Sequence, residues 1–247
     1  MIIDMHMHID DVPSLGWELS AETCLRSMDE AGIERAAVMT IGDLPGGASP
    51  KALELIAEAC EKHPNRLHGF IRLNPRQVDE AIGLLHTAVR DMNFRGLKLH
   101  PVSTLAHPGG RETIALIKAA GELGVPTLFH CGDEPLTTPL SIAPAAAACP
   151  DSTIILGHMG GYFHVDEAID VAERYPNIIL ETSATPYPAK IGEAVRRIGA
   201  ERVIYGSDGP VSSPALETQK IVLAQLSDED RNLVLGGNAE TLLGITR

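Results

Sequence analysis

RGLKLHPVSTLAHPGGRETIALIKAAGELGVPTLFHCG, residues 95–132, holds one complete strand–helix–strand unit. A short apolar run, GLKLH, ends in a proline. An Ala/Leu/Glu-rich amphipathic stretch follows near 111–123, and a second short run, PTLFHCG, closes the unit. Two strands joined by a helix-length crossover run parallel, because a hairpin turn cannot bring the chain back in the same direction. The same pattern extends outward to both ends. Further strand candidates are IIDMHMH (2–8), RAAVMTI (35–41), LHGFIRLN (67–74), TIILGHM (153–159), NIILETS (177–183) and RVIYGSD (202–208). Helical stretches lie near 20–31, 50–62, 76–91, 139–148, 164–175, 188–199 and 214–226, and 228–245 reads as two short helices covering one end. Eight strands alternating with eight helices predict the α/β class and a (β/α)8 TIM barrel, as a single domain over 1–247. A doubly wound open sheet fits less well. It seldom needs eight regular units, and no GxGxxG follows the first strand.

Composition narrows the function. The 247 residues carry Lys+Arg 20 against Asp+Glu 33, a net charge of −13. Nucleic acid and anionic membrane both reward positive charge, so neither is expected as a partner. The opening MIIDMHMHID has no basic segment followed by an apolar one, and no apolar run approaches a membrane span. Cys24, Cys60, Cys131 and Cys149 are scattered and form no CxxC. The reading is a cytoplasmic protein acting on a small molecule, with a homo-oligomer left open.

Ten histidines are present, and five of them (His6, His8, His100, His130, His158) fall at C-terminal strand ends. That rim is where barrel active sites are built. A single rim histidine is more often packing than chemistry. Five packed together would leave ring nitrogens without partners, a problem that a metal ion removes. His6 and His8 are i and i+2 on one strand and so face one side. Alternation places Asp4, His6 and His8 inside the barrel and Ile3, Met5 and Met7 against the helices. On strand five Leu128 and His130 point inward and Cys131 outward. On strand four Lys98 and His100 point inward. On strand three Arg72 and Asn74 do, with a salt bridge to Glu181 as the structural reading of Arg72. Strand eight ends in Gly206-Ser207-Asp208-Gly209-Pro210, which can expose Asp208 at its tip. Trp17, Tyr162, Phe163 and Tyr187 follow strands one, six and seven and can wall a pocket, although local packing explains each as well.

Together, the HxH of strand one, His130, His158 and Asp208 resemble the amidohydrolase superfamily of metal-dependent barrels. The resemblance spans the chain and is nearest to the amidohydrolase-2 branch, which contains aminocarboxymuconate-semialdehyde decarboxylase. It implies that His6, His8, His130 and Asp208 bind one divalent metal, and that His158 lies beside metal-bound water or substrate. The strand-four lysine of some relatives is carboxylated and bridges two metals. Here Lys98 is expected to stay an unmodified cation at a one-metal site.

Three imidazoles and a carboxylate suit Zn²⁺, with Mn²⁺ as the alternative. Such an ion lowers the pKa of its water to about 7. Asp208 can then take the water's proton and His158 can polarise a carbonyl, so hydrolysis of a small amide, ester or lactone is the first expectation. The same residues also support decarboxylation of a small unsaturated or aromatic acid, with Arg72, Lys98 and His100 orienting the acid. A metal-binding barrel without catalysis is the third reading.

Overall fold

A computed structural model describes residues 1–12, 16–41 and 50–245. Strand β1 (Ile3–His8) leads into a small antiparallel hairpin, β2 (Asp10–Val12) and β3 (Trp17–Leu19), and then α1 (Ala21–Ala31). Ser20 starts that helix by accepting a hydrogen bond from the Thr23 amide at 3.2 Å. The alternation continues through β4 (Arg35–Met39), α2 (Pro50–Lys62), β5 (Leu67–Arg72), α3 (Val78–Asp91) and β6 (Gly96–Leu99). A short α4 (Pro101–Thr104) precedes α5 (Arg111–Glu122), β7 (Thr127–His130), α6 (Pro139–Ala148) and β8 (Ile154–Gly157). The last units are α7 (Val165–Arg174), β9 (Ile178–Glu181), α8 (Pro188–Ile198), β10 (Val203–Ile204) and α9 (Pro214–Leu223). The tail forms α10 (Asp228–Asn232), a π-helical turn (Leu233–Gly237) and α11 (Asn238–Leu243).

Strands β1 and β4 to β10 form one eight-stranded sheet in that order, and every adjacent pair is parallel. Its two edges meet. The Met5 amide donates to Tyr205 O, Asp208 to His6 O and His8 to Gly209 O, at 2.7–3.0 Å. This is the expected (β/α)8 barrel. Strand eight is shorter than 202–208. Beyond Ile204 the amides turn to other partners, Tyr205 to Val234 O and Ser207 to the Asp4 carboxylate.

Two apolar layers hold the barrel. The larger lies between sheet and helices. The smaller fills the barrel interior with Ile3, Met5, Phe70, Leu128, Ile155, Ile179 and Ile204, and Ala239 and Leu243 of α11 join it. Burying a side chain of this size contributes about 1.5–3 kcal/mol. Ile3 and Met5 were expected against the helices, so strand one departs from strict alternation. The pairing of β1 with β4 shifts register between Asp4 and Met7. An extra residue there re-aims the chain, as bulges do. Below the shift Ile3 and Met5 point inward, and Asp4 lies near Cys24 and Tyr205 of the outer layer. No helix among the described residues is long and apolar enough to cross a membrane.

The inner face of β5 also carries a pH-sensitive group. Nε2 of the half-buried His68 is buried without a hydrogen-bond partner among the described residues. Burial, with Arg35 and Arg95 nearby, pushes its imidazole from 6.5 down to about 4. A base whose folded pKa is depressed contributes stability above its unfolded pKa and loses it as pH falls through the folded one. Urea midpoints are therefore expected to drop as pH is lowered from 6.5 towards 4, and the drop should be smaller in His68→Gln. Equal slopes in the two proteins would show that His68 is not the group responsible.

Candidate metal centre

At the C-terminal mouth the barrel interior turns from apolar to polar. His6 and His8 project from the end of β1, beyond the register shift, and His6 is fully buried. His6 Nδ1 donates to Glu181 Oε2 at 2.9 Å, so its Nε2 is the nitrogen with a lone pair. That atom faces Lys98 Nζ at 2.7 Å and Asp208 Oδ1 at 3.7 Å. His8 Nε2 lies 2.9 Å from Asp208 Oδ1, and its Nδ1 lies 3.3 Å from Met39 O.

The opposite wall comes from the ends of β7 and β8. His158 Nδ1 lies 2.8 Å from Ser183 Oγ, and its Nε2 lies 3.1 Å from His130 Nδ1. His130 reaches outward through Nε2 to Glu134 Oε2 at 3.3 Å and stacks on His100 with ring centroids 4.1 Å apart. His158 and Asp208 both have positive φ, 65° and 58°. Residues other than glycine adopt that conformation rarely and at a cost, often where side-chain placement serves function.

Every candidate metal, catalytic or substrate residue of the sequence lies around this mouth, but not in equal standing. The ligand atoms of His6, His158 and Asp208 all lie within 4.8 Å of one another. That set contains His158 where the resemblance gave His8 and His130. His8 touches it through Asp208, and His130 through His158. Lys98 is buried beside it, with Nζ 2.7 Å from His6 Nε2. Arg72 and His100 are drawn aside by α4. Arg72 donates to Ile41 O and, at 2.6 Å, to Ser103 Oγ, while His100 Nδ1 accepts from the Ser103 amide at 3.4 Å. Tyr162, Phe163 and Tyr187 are exposed on the rim.

Glu181 is the residue that the sequence reading undervalued. Its fully buried carboxylate accepts from His6 Nδ1, the His158 amide, the Ser183 amide and the Ser183 hydroxyl. Gly206 makes the space, since a Cβ there would collide with Glu181 Oε1. The available signal was an acid at a strand end in register with the inward Ile179.

Electrostatics match the geometry. Burial pushes His6 and His158 well below the usual imidazole range, so both are neutral at pH 7. Burial opposes ionisation of Asp208, but the His8 hydrogen bond and the neighbouring imidazoles outweigh it and hold the carboxyl well below its usual range. Burial pushes Lys98 down to about 7, against the pull of Asp208 and Glu181. His100 is pushed down to about 2, first by burial and then by His130. Two neutral imidazoles and one carboxylate are a nitrogen and oxygen donor set suited to a divalent first-row ion. A histidine that ligates through one nitrogen and donates the other to a carboxylate is the usual arrangement around such an ion. His6 and Glu181 have this form, so the residues fit a metal.

The family model described as Amidohydrolase, of the amidohydrolase-2 type, matches residues 3–245. The chain belongs to the amidohydrolase family. Among its relatives, the gamma-resorcylate decarboxylase of Rhodococcus jostii (strain RHA1) is 23% identical over 252 residues, covering 80% of this amidohydrolase and 76% of that protein. The 2,6-dihydroxybenzoate decarboxylase from Rhizobium has the same fold, with a TM-score of 0.77 at 19% identity, covering 99% of this chain and 98% of that one. The dihydroxybenzoic acid decarboxylase of Polaromonas sp. JS666, solved with bound manganese and the inhibitor 2-nitroresorcinol, gives a TM-score of 0.78 at 20% identity, covering 100% and 97%. These relatives are decarboxylases, which favours decarboxylation over the hydrolysis expected first from the sequence. The metal in the Polaromonas enzyme is manganese, and zinc has no corresponding support.

Proposed function

We propose that this amidohydrolase-family chain is a divalent-metal-dependent decarboxylase of a small hydroxylated aromatic acid. The observation that carries the reading is the convergence of His6, His158 and Asp208 at the mouth of a barrel whose relatives are decarboxylases. His6 and Asp208 would hold the cation, with His158 supported by the geometry and His8 and His130 by the family resemblance. Once bound, the cation supplies Lewis-acid attraction for the substrate carboxylate and an adjacent ring hydroxyl.

The chain's own groups then handle charge and protons. Lys98 Nζ adds a buried point charge that draws in an anionic substrate. Asp208, ionised at rest, takes the proton of the ring hydroxyl. The ionised oxygen pushes electron density to the ring carbon that bears the carboxylate, and Asp208 returns the proton to that carbon. The carbon–carbon bond then breaks, its electron pair restores the aromatic ring, and carbon dioxide leaves. Solvent reprotonates the phenolate. His8, 2.9 Å from Oδ1, steadies the carboxylate between its two proton transfers.

The test is turnover of 2,6-dihydroxybenzoate and related hydroxybenzoates by metal-stripped protein reloaded with Mn²⁺ or Zn²⁺. Carbon dioxide and the corresponding phenol are expected, with solvent deuterium at the vacated ring position and no activity after chelation. Ester or lactone cleavage with solvent oxygen in the product, and no carbon dioxide from any aromatic acid, would overturn the reading.

A further inference from the structure

Ser183 stands between two groups of the site. Its Oγ lies 2.9 Å from Glu181 Oε2 and 2.8 Å from His158 Nδ1. A hydroxyl has a single proton, and a carboxylate oxygen can only accept. The Ser183 proton therefore goes to Glu181, which leaves Oγ to accept from His158 Nδ1–H. His6 Nδ1, also 3.5 Å from Oγ, is already committed to Glu181 at 2.9 Å and does not compete. A neutral imidazole with its proton on Nδ1 has a bare Nε2, here 3.1 Å from His130 Nδ1. His130 gives its Nε2–H to Glu134, 3.3 Å away, so its Nδ1 is bare as well, and two facing lone pairs are an arrangement that a shared cation would complete.

The Ser183 segment is fixed from behind. Lys220 Nζ of α9 donates to Thr182 O at 2.9 Å and to Thr185 O at 2.7 Å, and pairs with Glu217. Glu217 Oε2 in turn accepts from the Ala184 amide at 3.2 Å. Lys220 and Glu217 are 13% and 12% exposed, so this is a shielded clamp and not a surface ion pair. It holds a non-glycine residue, Ala184, at φ 55°. Relaxing that turn would carry Ser183 Oγ away from His158.

We propose that Ser183, held by the Lys220–Glu217 clamp, is a positioning residue that fixes His158 as its Nδ1–H tautomer and keeps Nε2 bare towards the site. The inference rests on the reading that His158 works at the metal centre. Its test does not require the reaction to be decarboxylation. Long-range proton–nitrogen spectra of ¹⁵N-histidine-labelled protein, recorded without metal and then with zinc, report directly which nitrogen of His158 carries the proton, and the metal-free spectrum reads the effect of Ser183 alone. The wild type is expected to show Nδ1–H. Ser183→Ala should shift His158 towards Nε2–H and, because a protonated Nε2 cannot hold an ion, lower both metal affinity and kcat by roughly 10–100-fold, the usual loss for a partner that orients a histidine, with KM unchanged. Ser183→Thr keeps the hydroxyl and should restore both spectrum and rate. Lys220→Met should move the spectrum in the same direction and add little to Ser183→Ala. A wild-type spectrum with Nε2–H, or a Ser183→Ala spectrum identical to wild type, would overturn the proposal. If the wild type releases no carbon dioxide, the decarboxylase reading falls while the spectra still decide the tautomer.

Discussion

Asp208→Asn is expected to reduce the rate of the proposed decarboxylation by roughly 10²–10⁴-fold, the range for losing a positioned acid–base group. The amide matches the carboxylate in shape and can still accept from His8 Nε2, 2.9 Å away. It cannot take a proton from the substrate hydroxyl or return one to the ring. It also removes the negative charge that draws a cation towards His6 and His158. Kinetics at saturating Mn²⁺ separate the two effects. If metal loss were the whole effect, excess metal would restore kcat. If proton transfer is central, kcat stays low with metal bound, while each remaining turnover still places one solvent deuterium on the ring. A variant that keeps wild-type kcat at saturating metal would exclude Asp208 as the proton carrier.

The geometry also explains how one mouth can hold so much like chemistry. Charge is concentrated among buried or largely buried groups, so each must be answered by a neighbour. Asp208 is answered by His8, Glu181 by four donors, and Lys98 by His6 Nε2. Below this layer the interior is apolar, from Phe70 and Leu128 to Ile204. The floor excludes water, and the polar layer keeps its groups in fixed orientations.

Much of this was legible in the chain. Regular spacing of strand and helix signals pointed to the barrel, because a strand of about seven residues and a helix of about twelve each leave a clear period. Histidines at strand ends pointed to the mouth, because strand ends of a barrel share one rim. What failed was anything decided by register or by inserted structure. The shift between Asp4 and Met7 cannot be seen in IIDMHMH, and it moved Asp4 out and Ile3 and Met5 in. The insertion of α4 turned Arg72 and His100 towards Ser103. Glu181 was read as a partner for Arg72 because sequence shows that two inward residues share a barrel, but not which of them touch. Its contacts with His6 and His158 join residues 175 and 23 positions away along the chain.

That position supports the other large effect. Glu181→Gln is expected to weaken metal binding by roughly 10–100-fold, the range for a partner that orients a ligating histidine. The wild-type carboxylate accepts from four groups, and an amide has one acceptor oxygen and a donating nitrogen. Whichever way the introduced amide turns, its NH₂ group faces either the Ser183 amide on the Oε1 side or the donors gathered on the Oε2 side. Each buried donor left without an acceptor costs about 1–3 kcal/mol. His6 is the most exposed to the change, because among the described residues its Nδ1–H has only Ser183 Oγ, at 3.5 Å, as another acceptor. Losing it frees the ring to rotate or to move its proton to Nε2, which removes the lone pair that faces the metal. Metal affinity by competition with a chelator should therefore fall together with thermal stability. Asp208→Asn, by contrast, should lose activity with little loss of stability, since its side chain is nearer solvent, 23% exposed against 0% for Glu181. Wild-type metal affinity in Glu181→Gln would mean that the ion is held without help from His6, and the ligand set would have to be rebuilt around His8 and His130.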